Sequence, residues 1–245
     1  MVITMSREAE CGGEEVARLA AERHGLQVAD RAILERIAQQ EGLPVAHLSL
    51  FDETVPGAIE ALIAEWRTSM SHAVYLRRLV HMLLLLERED KVLIMGRGAA
   101  FVLSDPGTLH VRVVAPLPCR VARLMARSGL SSAAAERGLR RADAERARFI
   151  REAFGADIAS PTHYDLVVNT AELTPGATAE VVSAAAVRKS ARRGAAAEAP
   201  SDFLAHWSRF RRRSGLPRVS EVIWESCRRR GISESGLGER TGFGR

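Results

Sequence analysis

Val2-Ile3-Thr4-Met5-Ser6-Arg7-Glu8-Ala9-Glu10-Cys11-Gly12-Gly13 opens the chain, and its reading decides the fold. The β-branched run Val2 to Met5 gives way at Ser6 to a polar stretch that ends in two glycines. Val16, Leu19 and Ala20 then recur at helical spacing. Strand, loop and helix in that order form a βα unit, with the loop at the carboxyl end of the strand. Leu26 to Ala29 reads as a short second strand. Val92 to Met95, His110 to Val114 and Asp165 to Val168 supply three more. Helical periodicity is expected over 32–40, 58–89, 119–127, 132–154 and 176–187. Five short apolar strands interleaved with helices predict an α/β fold with a mainly parallel sheet.

With 245 residues and 47% apolar side chains, the chain can bury a sizeable core, which excludes collagenous, mucin-like and wholly disordered classes. Its net charge of +5 is uneven. From Arg188 onward there are 14 basic and 6 acidic residues, a net +8, so residues 1–187 carry −3. The domain is therefore expected to span 1–187 and to be mildly acidic. Residues 188–245 read as a basic, flexible extension rich in Ala, Gly, Ser and Arg. Cys11, Cys119 and Cys227 are odd in number and far apart, which argues against a disulfide framework or zinc site and for a reducing compartment. The first eight residues lack a basic leader, and the longest apolar run, Leu79 to Leu86, is too short for a bilayer. A cytoplasmic protein is expected, with no membrane partner; oligomeric state is open.

In a parallel α/β sheet, ligands sit beyond the carboxyl ends of the strands. Three stretches there carry chemistry. The Ser6–Gly13 loop opens a helix, so its unpaired N–H groups and the positive helix end form an anion site; otherwise it is a tight turn without a ligand. Cys11 within it reads as a small filler. Arg97, held between Gly96 and Gly98, is placed to grip a phosphate or base edge with two parallel hydrogen bonds; otherwise it is a surface arginine. Arg120, Arg123 and Arg127 share one helix face, and Asp143 stands three residues before Arg146 on the next helix. Such stripes are commonly solvated, yet here forked cations concentrate beside a cleft in an acidic body.

The chain from Val2 to about Val187 resembles the cytidylate kinase-like family, a branch of the P-loop nucleoside monophosphate kinases. The resemblance rests on Ile3-Thr4-Met5-Ser6-Arg7-Glu8 with Gly12-Gly13, and Asp30-Arg31-Ala32-Ile33-Leu34. It continues in Met95-Gly96-Arg97-Gly98-Ala99, Val113-Val114-Ala115-Pro116-Leu117 with Arg120, Asp143 to Phe149, and Tyr164 to Thr170. It implies a three-layer P-loop NTPase-like fold with a five-stranded parallel sheet, a helical insertion over 31–91 that covers the monophosphate, and a short lid within 119–151. It also implies ATP-dependent phosphoryl transfer to a CMP-like pyrimidine monophosphate, with Mg2+. By position, Ser6, Arg7, Cys11, Gly12 and Gly13 meet phosphate, and Asp30, Arg97, Asp143 and Arg146 meet the nucleotide. Arg120, Arg123 and Arg127 stabilise the transferring group, a sensible role because phosphoryl transfer is catalysed by positioning and by placed cations.

The first loop departs from the pattern. Laid on G-x-x-x-x-G-K-[ST] with one extra glycine after the lysine, Arg7 replaces the first glycine, Gly13 the lysine and Glu15 the magnesium-binding hydroxyl. Arg7 is expected to replace the lysine and Glu15 to take magnesium directly. Glu10 and Glu14 flank the loop, and a carboxylate about 4 Å from a phosphate costs about 4 kcal/mol at an effective dielectric near 20. Two other readings stay open: a catalytically silent nucleotide-binding or sensory module with a degenerate loop, and nucleic-acid binding by the basic extension.

Overall fold

The computed structural model describes residues 1–29, 79–80, 82–87 and 90–192, all within the compact unit Met1–Ala196. Asp30, the helix expected over 32–40, most of the 31–91 insertion and the extension beyond Arg192 lie outside the described residues.

The elements are β1 (Val2–Arg7), α1 (Gly13–His24), β2 (Gln27–Val28), β3 (Val92–Met95), α2 (Ala99–Val102) and β4 (Thr108–Val114). After them come α3 (Leu117–Ser128), α4 (Ser132–Phe154), a 3-10 turn (Pro161–His163), β5 (Leu166–Asn169) and α5 (Pro175–Ser190). All five strands pair in parallel in the order β2-β3-β1-β4-β5. Residues 79–80 and 82–87 are helical, and Leu79, Leu83 and Leu86 are buried.

β1 runs two residues further than its apolar pattern predicts. Ser6 and Arg7 continue the ladder opposite Arg112 and Val113, so the loop starts at Glu8 rather than at Ser6. Backbone pairing with a central partner outweighs side-chain polarity there. Local signals fix the helix ends. Ser131 and Thr174 cap α4 and α5 by accepting from Ala134 and Ala177 N–H, and left-handed Gly25 and Gly155 close α1 and α4.

The two sheet faces differ, as the alternation of strand side chains allows. Ile3, Met5, Leu109, Val111 and Val113 pack with Val16, Ala17 and Ala20 of α1 and Ala179, Val182 and Ala186 of α5. Burying each Val, Ile or Leu contributes about 1.5–3 kcal/mol. The alternating positions of the two central strands are Thr4, Ser6, His110 and Arg112, joined in pairs. Thr4 Oγ1 lies 2.8 Å from His110 Nδ1, and Arg112 Nη1 donates to Ser6 Oγ at 3.1 Å.

Burial, together with the Lys189 charge and against the pull of Asp165, pushes His110 down to about 4 from an ordinary 6.5. The unfolded chain therefore binds a proton below pH 6.5 that the native state refuses until about pH 4. Stability is expected to be full above pH 6.5 and to fall by up to about 3 kcal/mol as pH drops toward 4. Urea midpoints across that range should show this slope, and His110→Asn should flatten it.

Gly98 joins β3 to α2 with φ +71°, and a Cβ there would sit 2.2 Å from Phe154 Cε2 on α4. Gly98→Ala combines a left-handed non-glycine residue with overpacking. It is expected to cost about 2–4 kcal/mol in denaturant titration.

Candidate active site

The Glu8–Gly12 loop enters α1 through Gly12, whose φ of +82° and missing side chain leave the helix without a side-chain cap. The first-turn N–H groups of such a helix are natural anion ligands. Gly13 stands where a phosphate-loop lysine would. A Cβ there would lie 3.0 Å from Arg7 Cβ and 3.3 Å from Cys11 Sγ, so the buried Arg7 stem fills that space. Cys11 is fully buried, and its Sγ faces Val113 C=O at 3.5 Å. Burial pushes its thiol pKa up, which leaves it an inert filler.

The loop is tied from three sides. Ala9 N–H donates to Asp143 Oδ1 at 2.9 Å, and Ala115 N–H donates to Glu8 Oε2 at 3.1 Å. Arg120, only 6% exposed, spends its guanidinium on Asp143 Oδ2 at 2.5 Å, Ala9 C=O at 3.1 Å and Ala115 C=O at 2.9 Å. Arg123 donates to Thr170 C=O at 2.7 Å and to Glu10 C=O at 3.5 Å, and its Nη1 lies beside Gly12. Thr170 Oγ1 donates to Cys11 C=O at 2.5 Å.

Every acid of the loop region has an arginine. Glu8 lies 3.6 Å from Arg120, Glu10 2.5 Å from Arg127, Glu14 2.6 Å from Arg7 and Glu15 2.6 Å from Arg18. Desolvation raises the Glu14 pKa, but the Arg7 charge and hydrogen bond outweigh it and hold the carboxyl below its ordinary range. Glu15 is held low chiefly by its bond to Arg18, along the outside of α1. The carboxylate cost read from the loop sequence is thus met by arginines. Three of them, Arg7, Arg120 and Arg127, are those expected on phosphate.

Beside the loop lies a cleft of about 620 Å³, open to solvent, whose walls include Ser6, Arg7, Arg97, Phe101, Arg146 and Phe149. Arg97 sits at φ +58° between left-handed Gly96 and Gly98. Ala99 N–H closes that turn onto Gly96 C=O at 3.1 Å. A non-glycine residue held there is strained, a cost found disproportionately at functional sites. Arg146 stands 3.7 Å from Asp143, and its buried Nη1 makes no hydrogen bond among the described residues.

The fold thus brings Ser6, Arg7, Arg97 and Arg146 to one cleft, and gathers Arg120, Arg123, Arg127 and Asp143 on the adjoining loop. Glu15 is turned to Arg18, and Cys11 is turned to the core. Sequence reasoning missed Thr170, which ties the loop to the end of β5, and Arg112 with Tyr164 behind Ser6. A charge in the middle of the interior strand His110 to Val114 was the available signal.

Residues 2–172 match the model of the cytidylate kinase-like family. The cytidylate kinase of Ignicoccus hospitalis is 27% identical over 74% of this chain and 96% of its own length. That of Methanopyrus kandleri is 25% identical over 76% and 92%. A local match of 86 residues, 37% identical, covers 17% of the uronate isomerase of Corynebacterium glutamicum. An uncharacterized protein from Eubacterium ventriosum shares the fold, with a TM-score of 0.53 and 16% identity over 76% of this chain and 98% of that one. The five-stranded parallel sheet with flanking helices is the α/β fold that the family resemblance implies. The chain belongs to the cytidylate kinase-like family, and so stands among the phosphotransferases that act on nucleoside monophosphates. Among the described residues, no helix is long and apolar enough to cross a membrane.

Removing the Asp143 carboxylate leaves the buried Arg120 with only the longer Glu8 pair at 3.6 Å and orphans Ala9 N–H. Asp143→Ala is therefore expected to cost about 3 kcal/mol, and Asp143→Leu with Arg120→Met together to cost less than either change alone. Urea titrations of the set check this; a single-variant loss below about 1 kcal/mol would mean the loop is held by other contacts.

Proposed function

We propose that the chain transfers the γ-phosphoryl group of ATP to a pyrimidine nucleoside monophosphate of the CMP type. The observation that carries this reading is a cleft bearing Arg97 and Arg146 next to an uncapped helix N-terminus, in a chain of this family. The triphosphate lies along the amides that open α1. The monophosphate lies in the cleft, its phosphate toward Arg97 and Arg146 and its base toward Phe101 and Phe149. An oxygen of the monophosphate attacks the γ-phosphorus as the bond to the β-bridging oxygen breaks, so ADP leaves and a nucleoside diphosphate forms.

Arg123 lies beside Gly12, and Arg127 is 70% exposed on one weak pair with Glu10; these two supply charge to the transferring group. Arg120 and Asp143 are positioning residues that hold the loop, and Arg7 occupies the space of the missing lysine. Among the described residues, no cluster of three or more His, Cys, Asp or Glu side chains suits a metal. Glu15, paired with Arg18 at 2.6 Å, is the carboxylate of this chain that would hold magnesium, and the ion would supply neutralisation of the phosphate charge.

The test is the purified full chain with ATP and Mg2+ against CMP, dCMP, UMP and AMP. Diphosphate should form, with the highest kcat/KM for a cytidine nucleotide, and Arg127→Ala should lower kcat at least about a hundredfold. Folded protein that makes no diphosphate from any of them refutes the reading. ATP-dependent thermal stabilisation without turnover would instead favour a silent nucleotide-binding module, a reading supported by the missing lysine and by the carboxylate partners of the loop arginines.

A further inference from the structure

Arg112 lies at the centre of the sheet, paired in register with Ser6 on β1. It is only 6% exposed. Its Nη1 donates to Ser6 Oγ at 3.1 Å, and its Cζ sits 5.7 Å from the centroid of the Tyr164 ring. Three arginines are buried among the described residues: Arg7, Arg112 and Arg120. Arg7 has Glu14 at 2.6 Å, and Arg120 has Asp143 at 2.5 Å. Arg112 has no carboxylate within ion-pair distance among those residues. A buried guanidinium without a counter-charge is costly, and an anion brought nearby relieves that cost.

Ser6 carries this charge to the cleft, because Ser6 lines it and Arg112 stands behind. A serine hydroxyl has one proton and two acceptor sites. Arg112 fills one acceptor site. Tyr164 Oη lies 3.4 Å away, but it donates to the nearer Ile158 C=O at 3.0 Å. Among the described residues the Ser6 proton thus has only a long, weak partner, and an anionic oxygen in the cleft is a better one.

We propose that Arg112 is a positioning residue that acts through Ser6, holding its hydroxyl as a donor to the phosphate of the acceptor. The cleft then selects a phosphomonoester dianion over the same molecule without its phosphate. This rests on the kinase reading above and adds to it a residue that sets substrate class.

The test measures CMP, cytidine and inorganic phosphate binding by calorimetry, and CMP kinetics, in the full chain and in Ser6→Ala, Arg112→Met and Arg112→Lys. Ser6→Ala and Arg112→Met should each weaken CMP and inorganic phosphate about tenfold or more, and raise KM for CMP alike. Cytidine affinity and KM for ATP should stay within twofold, and Arg112→Lys should restore part of the loss. A merely structural role would weaken CMP and cytidine equally, or lower kcat without moving KM. If Arg112→Met does not fold, Ser6→Ala decides. The proposal is overturned if Ser6→Ala binds CMP and inorganic phosphate within twofold of the parent, or if the parent binds neither. Turnover of CMP with unchanged Ser6→Ala affinity overturns this proposal alone. Absence of turnover with a selective loss of CMP binding in Ser6→Ala overturns only the transferase reading.

Discussion

The Asp143 carboxylate, shared between the Ala9 amide and the Arg120 guanidinium, is the contact on which the rest of the site depends. It joins α4 to a loop 134 residues earlier in the chain and to α3 between them. A loop with several unpaired backbone groups has little reason to keep one shape. Here a buried arginine that donates to two carbonyls and one carboxylate fixes it, and a charged hydrogen bond inside a poorly solvated region is stronger than the same bond in water. Gly13 stands where the P-loop pattern has a lysine that organises the loop around a ligand. The protein organises it around its own arginine instead.

That substitution changes the electrostatics of the loop more than its geometry. Each acid there has a basic partner, so on the proposed function a polyphosphate would compete for arginines already in use. Burial decides which can change partner. The pair between Arg127 and Glu10 has one arm largely in solvent, and such pairs are worth about 0–1 kcal/mol. Arg120 makes its contacts out of water, and breaking a buried pair costs about 3–5 kcal/mol. Arg127 is therefore the arginine free to follow a ligand, and Arg120 the one that stays with the loop.

This difference explains what could be read from the chain. The five strands were legible because each is an apolar run bounded by glycine, proline or polar residues. That Arg120, Arg123 and Arg127 share one helix face was legible from helical spacing, while their place near the loop was implied only by the family resemblance. Their separate roles were not, since one helix face passes from the buried first turn at Arg120 to solvent at Arg127. Asp143 and Arg146 share a helix, but the stronger partners of Asp143 are Arg120 on α3 and a backbone amide in the first loop, and no local pattern carries contacts of that span. The end of β1 was misplaced for a similar reason: the ladder to β4 decides whether Ser6 and Arg7 are strand or loop, and side-chain polarity does not.

Arg112 is the hardest case and the most informative. A parallel sheet covered on both faces is usually apolar on both. Here Ile3, Met5, Val111 and Val113 keep that rule toward α1 and α5, while Thr4, Ser6, His110 and Arg112 break it on the alternating positions. From sequence, such alternation reads as one face in water. In the structure those residues lie in the two central strands, and Thr4 and Arg112 are buried. A polar layer inside a sheet costs stability unless its groups find partners. Thr4 and His110 pair with each other, whereas among the described residues Arg112 reaches only a hydroxyl and an aromatic ring, and no carboxylate there compensates its charge. Packing alone gives no reason to keep a guanidinium there, since methionine would fill similar space without the desolvation cost. An anion held in that cleft supplies the reason.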